Sequence, residues 1–179
     1  MVYVLLGTGF EEIEAITPID LMRRAGIEVI TVGLNGKTIY GGHGIAISAD
    51  ITVEEMDLTN LDMIVLPGGL GGVASIRNCQ PAMDAIQFAF ENNKFTAAIC
   101  AGPTVLGDLE ITNGKAATCY PGCEAGMGTA QIKEAAVIQD GKLITGTSAG
   151  CAIPFGLTLI AALKGQSTAD QIAQQIVIR

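Results

Sequence analysis

Three short, largely apolar runs, each stopped abruptly by small or turn-forming residues, most constrain what this chain can fold into. Val2 to Leu6 ends at Gly7-Thr8-Gly9, Asp62 to Leu66 ends at Pro67-Gly68-Gly69, and Phe95 to Ile99 runs into Cys100-Ala101-Gly102-Pro103. A strand with one wet face alternates apolar and polar residues, whereas runs this continuous belong to strands covered on both faces, as in parallel sheets flanked by helices. Ile27 to Val32 reads as another such strand. Helical patterns fill the intervals, so the expected architecture is an α/β sandwich around a mainly parallel sheet, in one domain spanning residues 1–179.

Local signals place the remaining elements. After the first strand a helix is expected to break at Thr17-Pro18, with Thr17 as N-cap and Pro18 at the first position of a fresh segment through Leu21 and Met22 to Ala25, stopped by Gly26. Asn35-Gly36 signals a turn, and Lys37 to Ile47 is expected to form a small antiparallel excursion that carries His43 among Gly41, Gly42 and Gly44. Pro81 to Asn92 reads as a helix burying Met83, Ile86, Phe88 and Phe90, and Thr104 to Leu109 as another. Asp140-Gly141 marks a hairpin between Ala135–Ile138 and Leu143–Thr145. Ala149 to Leu163 is expected to be the last long helix, ended by Gly165.

Composition then removes whole classes of function. Net charge is −8, from eighteen acidic and ten basic side chains, and no Lys/Arg cluster stands out, so nucleic acid is not an expected partner. His43 is the only histidine, which excludes any mechanism or metal site needing two imidazoles. Cys119 and Cys123 lack a second ligand pair, so no metal is expected. The apolar start lacks a basic leader and meets Glu11, Glu12 and Glu14 at once, which points to the cytoplasm rather than to secretion. There the five cysteines are expected as thiols. Leu143 to Leu163 is uncharged, yet glycine, proline and hydroxyl residues interrupt it, so a buried helix is expected and no membrane span.

In open α/β sheets ligands bind beyond the carboxyl ends of the strands, where Gly7–Glu14, Pro67–Gly72 and Cys100–Pro103 converge. Cys100, between a buried strand and a helix start, has two readings. It is a small buried hydrophobe, or a nucleophile on a sharp strand-to-helix turn, an elbow whose helix N-terminus favours the thiolate. Gly68 and Gly69 either merely turn the chain or let a backbone N–H approach an oxyanion together with that of Ala101. Glu11, Glu12 and Glu14 suit the helix dipole, and Glu14 has the further reading of a desolvated, protonated carboxyl turned toward the thiol. Gly7-Thr8-Gly9 lacks the third glycine of a dinucleotide fingerprint and is followed by acidic residues, so no nucleotide cofactor is expected.

Taken together, Gly9-Phe10-Glu11-Glu12-Ile13-Glu14-Ala15, Asp20-Leu21-Met22-Arg23-Arg24-Ala25-Gly26, Val65-Leu66-Pro67-Gly68-Gly69 and Ala97-Ala98-Ile99-Cys100-Ala101-Gly102-Pro103 resemble the DJ-1/ThiJ/PfpI superfamily, in its DJ-1-like branch. The resemblance extends over nearly the whole chain. It implies a flavodoxin-like three-layer sandwich with a nucleophile elbow, Cys100 as reactive cysteine, Glu14 as its partner carboxylate and Gly69 with Ala101 as backbone oxyanion donors. It also implies a homodimer packed partly through the first helix near Arg23 and Arg24. The sequence departs from many relatives in having Ala101 and Tyr120 where they carry a histidine, and Thr147-Ser148-Ala149-Gly150 where Arg-Gly-Pro-Gly is common.

The function expected on this basis is cysteine-dependent, cofactor-independent detoxification of 2-oxoaldehydes such as methylglyoxal, or of their early adducts, in the manner of a glyoxalase or deglycase. Cys100 serves as nucleophile and Glu14 as acid and base. Gly68, His43 and Tyr120 are candidate pocket residues. Two other readings compete: an oxidative-stress sensor or chaperone-like protein acting through Cys100 oxidation, and an intracellular peptidase or amidase, which lacks a histidine beside the cysteine. For Cys119, Cys123 and Cys151 the expectation is packing.

Overall fold

The computed structural model describes residues 1–178. In chain order β1 (Val2–Leu6) leads into α1 (Glu12–Arg24) and β2 (Val29–Gly33), followed by the hairpin β3 (Thr38–Tyr40) and β4 (Ala46–Ser48) and the edge strand β5 (Ile51–Thr52). Next come β6 (Met63–Leu66), α2 (Leu70–Arg77), α3 (Gln80–Glu91), β7 (Phe95–Ile99) and α4 (Pro103–Asp108). Two short strands, β8 (Ala116–Ala117) and β9 (Gln131–Ile132), precede β10 (Val137–Asp140), β11 (Leu143–Gly146), α5 (Ala152–Lys164) and α6 (Gln166–Gln175).

The main sheet runs β10-β11-β7-β6-β1-β2-β5 and is parallel except for β10, which returns antiparallel on β11. Register aligns Val2 with Met63 and Leu66 with Ala98, so β1, β6 and β7 finish together at one edge. Alternation along each strand separates two apolar layers. Tyr3, Leu5, Ile64, Leu66 and Ala98 face Val73 and Ile76 of α2, Ala85 and Ile86 of α3, and Val105 and Leu106 of α4. Val2, Val4, Leu6, Val65 and Ile99 face Met22 of α1, Phe155 and Leu159 of α5, and Ile172 of α6. Both faces are covered, which is why the strands read as unbroken apolar runs. This is the flavodoxin-like three-layer arrangement.

Several local expectations need correction. Helix α1 does not restart at Pro18 but continues through it. An interior proline costs about 3 kcal/mol in a helix. Burial of Ile19, Leu21 and Met22, at about 1.5–3 kcal/mol per fully buried side chain, outweighs that. The partner helix α5 makes room: a Cβ at Gly156 would stand 2.8 Å from Leu21 Cδ1 and 3.1 Å from the Pro18 Cα. Residues 149–151 form a 3₁₀ turn, so the last long helix, α5, begins at Ala152 rather than Ala149; it ends at Gly165 as expected, and the shorter α6 follows it. Helix α3 buries Ala82, Ala85, Ile86 and Ala89, while Phe90 is exposed and Met83 and Phe88 only half-buried, because small residues let the helix lie close on the sheet. Helix α2, whose first turn is Leu70-Gly71-Gly72, and the short strands β5, β8 and β9 carry no pattern strong enough to be read. The 37–47 excursion is present, with its reversal at Gly41–Gly44 rather than at Asn35-Gly36. Among the described residues no helix is long and apolar enough to cross a membrane.

Candidate active site

At the carboxyl edge of β7 the chain turns at Cys100, whose φ is +64°. An L-residue pays about 1–2 kcal/mol in this left-handed region, so tertiary bonds must hold it there. They do so on both sides. The Cys100 N–H donates to the Gly146 carbonyl at the end of β11 (2.9 Å), and its carbonyl accepts from the Tyr120 N–H (2.8 Å). The turn feeds directly into α4, which gives the strand–elbow–helix geometry expected of a displayed nucleophile.

Glu14 enters from the first turn of α1. Glu11 caps that helix by accepting from the Glu14 N–H (2.8 Å), and the Glu14 side chain is driven inward to complete burial. Its Oε2 accepts from the Gly68 N–H (2.9 Å), while Oε1 is buried with no hydrogen-bond partner. Carboxyl and cysteine meet over Gly68. A Cβ placed on that glycine would collide with Glu14 Oε2 and stand 2.7 Å from the Cys100 Cβ. Gly69, at φ +84°, is pressed equally tightly against the first loop, where a Cβ would lie 2.5 Å from the Gly9 carbonyl and 2.7 Å from the Glu11 nitrogen.

These surroundings shift both ionisations. Burial pushes the Glu14 carboxyl up to about 7, the nearby Glu11 charge adds to this, and the adjacent Cys100 thiol and the hydrogen bond from the Gly68 N–H oppose it. Burial also pushes the Cys100 thiol up to about 12, reinforced by the charge and hydrogen bonding of Glu14, while the N–H groups of Ala101 and Gly69 pull the other way. The amides at the helix start favour the thiolate as expected, while desolvation and the neighbouring carboxylate act in the opposite direction. The two groups titrate as a coupled pair in which burial favours the protonated form of each and the carboxyl ionises before the thiol.

The other candidates lie around this pair at different distances from the chemistry. Tyr120 is brought to Cys100 through its backbone and leaves its side chain exposed. His43 goes elsewhere. Its ring Nδ1 lies 2.8 Å from Glu12 Oε2 and its N–H donates to Glu12 Oε1 (2.7 Å), and no hydrogen bond joins it to Cys100 or Glu14. Glu12 is buried, yet these bonds hold its carboxyl below the ordinary range despite the opposing effect of desolvation, and the His43 imidazole is raised in return. Glu12 therefore clamps the 41–45 loop onto the β1–α1 turn, a role that its place in a glutamate-rich helix start disguised. Cys119 is buried in the core with Cys123 packed beside it, and Cys119 and Cys151 line a cleft of 470 Å³ one residue away from both backbone bonds of Cys100. Among the described residues, Glu11, Glu12 and His43 are the only group spaced closely enough to hold a metal ion, and there Glu12 Oε1 already accepts from the His43 and Ile45 N–H groups while Oε2 lies against His43 Nδ1.

With this geometry in place, residues 1–162 match the family model described as the DJ-1/PfpI family. The chain belongs to the DJ-1/PfpI family. It is 32% identical to protein dj-1beta of Drosophila melanogaster, over 98% of this chain and 95% of that one. It is also 30% identical to a protein of Pyrococcus abyssi named a deglycase, over 80% of this chain and 87% of that one. Among solved structures, a cysteine-to-alanine mutant of a DJ-1 superfamily protein from Salmonella typhimurium superposes with TM-score 0.94 at 30% identity, over 99% and 98% of the two chains. Toxoplasma gondii DJ-1 in an oxidised form gives TM-score 0.94 at 30% identity, over 98% and 97%.

Proposed function

We propose that this DJ-1/PfpI protein is a cysteine-dependent, cofactor-independent enzyme that converts 2-oxoaldehydes such as methylglyoxal, or their early adducts, to hydroxy acids. The observation that carries this reading is the fully buried Glu14 carboxyl, which accepts from the Gly68 N–H and meets Cys100 over that glycine, and whose burial favours its protonated form. Such a group can take a proton and return it at working pH, which a solvated carboxylate does poorly. The Cys100 sulfur adds to the aldehyde carbon as its proton passes to Glu14, giving a hemithioacetal. In this reading the N–H groups of Gly69 and Ala101, which favour negative charge at the sulfur, stabilise the developing oxyanion beside it. Glu14 then moves a proton from the former aldehyde carbon to the adjacent carbon through an enediol, leaving a thioester of the hydroxy acid. Water hydrolyses the thioester and restores the thiol, so the reaction is an internal redox with water as its only co-reactant. The name of the Pyrococcus relative agrees with an adduct-cleaving variant of the same chemistry. Lactate formed from methylglyoxal tests the reading: Cys100→Ala is expected to abolish it, and equal rates for wild type and variant would overturn it.

A second reading rests on the same pair. A carboxyl that holds a proton near neutral pH can donate it to an oxidised sulfur, so Cys100 is proposed as an oxidation sensor where peroxide replaces aldehyde. Selective addition of oxygen to Cys100 at low peroxide supports this, and uniform oxidation of all five cysteines counts against it. A peptidase role is weaker, since the single histidine is engaged by Glu12. The five free thiols suit a reducing compartment such as the cytoplasm. A homodimer is proposed through the exposed Ile13 and Ile16 of α1 and Ile153 of α5. Ile16→Glu is expected to shift sedimentation from dimer to monomer, and a monomeric wild type would refute it.

A further inference from the structure

Away from the site just described, the least explained feature lies at the opposite, amino edge of the sheet. The chain has six lysines in a molecule of net charge −8. Four of them collect there. Lys94, Lys142 and Lys164 line a cleft of 460 Å³, and Lys94, Lys115 and Lys142 line a second of 220 Å³ that shares Asn93 with it. The strands that open onto this edge are those whose other ends carry Cys100 and Gly68, so the two faces are separated by the length of the sheet, about 15 Å for strands of this length.

None of these ammonium groups is paired to a carboxylate among the described residues. Lys142 Nζ sits 3.8 Å above the centre of the Phe95 ring, and Lys164 Nζ donates to the carbonyls of Ala25 and Gly26 (3.0 Å each), contacts that hold position without neutralising charge. The acidic groups facing the cleft are Glu28 and Asp62, and Asp62 is engaged by the Met1 nitrogen. Beside Lys115, Asp140 is occupied by the Ala116 N–H. Lysine rather than arginine supplies all four charges, which favours a compact anion met by several point charges over a planar carboxylate gripped by a fork. The acidic remainder of the surface repels extended polyanions and leaves a small one as the fitting guest.

We propose that this edge is a binding site for a small, multiply charged phosphate compound, either an inorganic diphosphate or a phosphate monoester. The site is independent of the Cys100 chemistry. Pyrophosphate and phenyl phosphate, titrated separately by calorimetry and by amide NMR, distinguish the two sources. The expected result is saturable one-to-one binding of at least one of them, with shifts at residues 93–95 and 141–143. Lys94→Gln with Lys142→Gln should weaken it at least about tenfold. A control pair that removes the same charge elsewhere, Lys37→Gln with Lys133→Gln, should retain it, and both double variants should keep wild-type melting curves and wild-type reactivity at Cys100. No saturation up to about 10 mM would overturn the proposal. So would equal loss in both double variants, or tighter binding of a single-stranded oligonucleotide at the same lysines.

Discussion

Replacing Glu14 by glutamine should make the protein more stable at neutral pH while removing the group assigned to proton transfer. The folded carboxyl titrates at about 7, against 4.5 for an unperturbed glutamate. That difference of roughly 2.5 units corresponds to about 3 kcal/mol. Because the folded state holds this proton to a higher pH than the unfolded state, the contribution of Glu14 is fully present below about pH 4.5. It is lost as pH rises toward 7 and stays lost above. Glutamine is neutral throughout, and its amide oxygen can still accept the Gly68 N–H. Wild type and Glu14→Gln should therefore be nearly equal in stability below about pH 4, differ by about 1 kcal/mol at pH 5 and diverge by up to about 3 kcal/mol by pH 8, the variant being the more stable. Other titrating groups, such as Glu12 and Asp50, are common to both proteins and cancel in the difference. Urea denaturation at four pH values reads it directly, as midpoints separating by roughly 1–2 M at the slope usual for proteins of this size. Parallel stability profiles across pH 5–8 would refute the argument that burial, rather than some compensating contact, governs this carboxyl.

Three further outcomes follow from neighbouring contacts. In Glu14→Gln the Cys100 thiol loses the charge that helps raise it, so its iodoacetamide alkylation, followed by mass spectrometry, should move to lower pH; an unmoved profile would separate the two groups. Gly68→Ala inserts a methyl group between Glu14 and Cys100 and should lower stability by about 1–3 kcal/mol, with a loss of Cys100-dependent turnover of about a hundredfold; wild-type kinetics would show that the two groups need not meet there. Glu12→Gln should return the His43 imidazole toward its ordinary titration in NMR and speed amide exchange at residues 41–45, whereas an unchanged histidine titration would argue that Glu12 is not its partner.

The sheet was legible because its strands are buried on both faces and end in residues that cannot continue them. The same logic located Cys100, Gly68 and Gly69 at one edge. Pro18 misled because its local cost is visible in sequence while the packing of Leu21 against Gly156, which offsets it, is not. Helix α2 was invisible because its first turn is two glycines after an exposed Leu70, and helix propensity loses to tertiary support there. Among the glutamates, spacing could not say which of Glu11, Glu12 and Glu14 would cap, clamp or point inward, since each suits a helix start. Nor could it weigh two amides against desolvation at the thiol, which depends on atoms brought together from four separate segments.

The left-handed backbone at Cys100 ties thiol chemistry to the life history of the chain. In a nascent or unravelled molecule the cysteine relaxes to an ordinary conformation, far from Glu14, and its acidity returns toward the usual 9 from the folded value of about 12. Folding thus shifts Cys100 toward its protonated, less nucleophilic form, through burial first and the Glu14 carboxyl second. The same sulfur is therefore expected to be more readily alkylated in denaturant than in the folded protein at one pH.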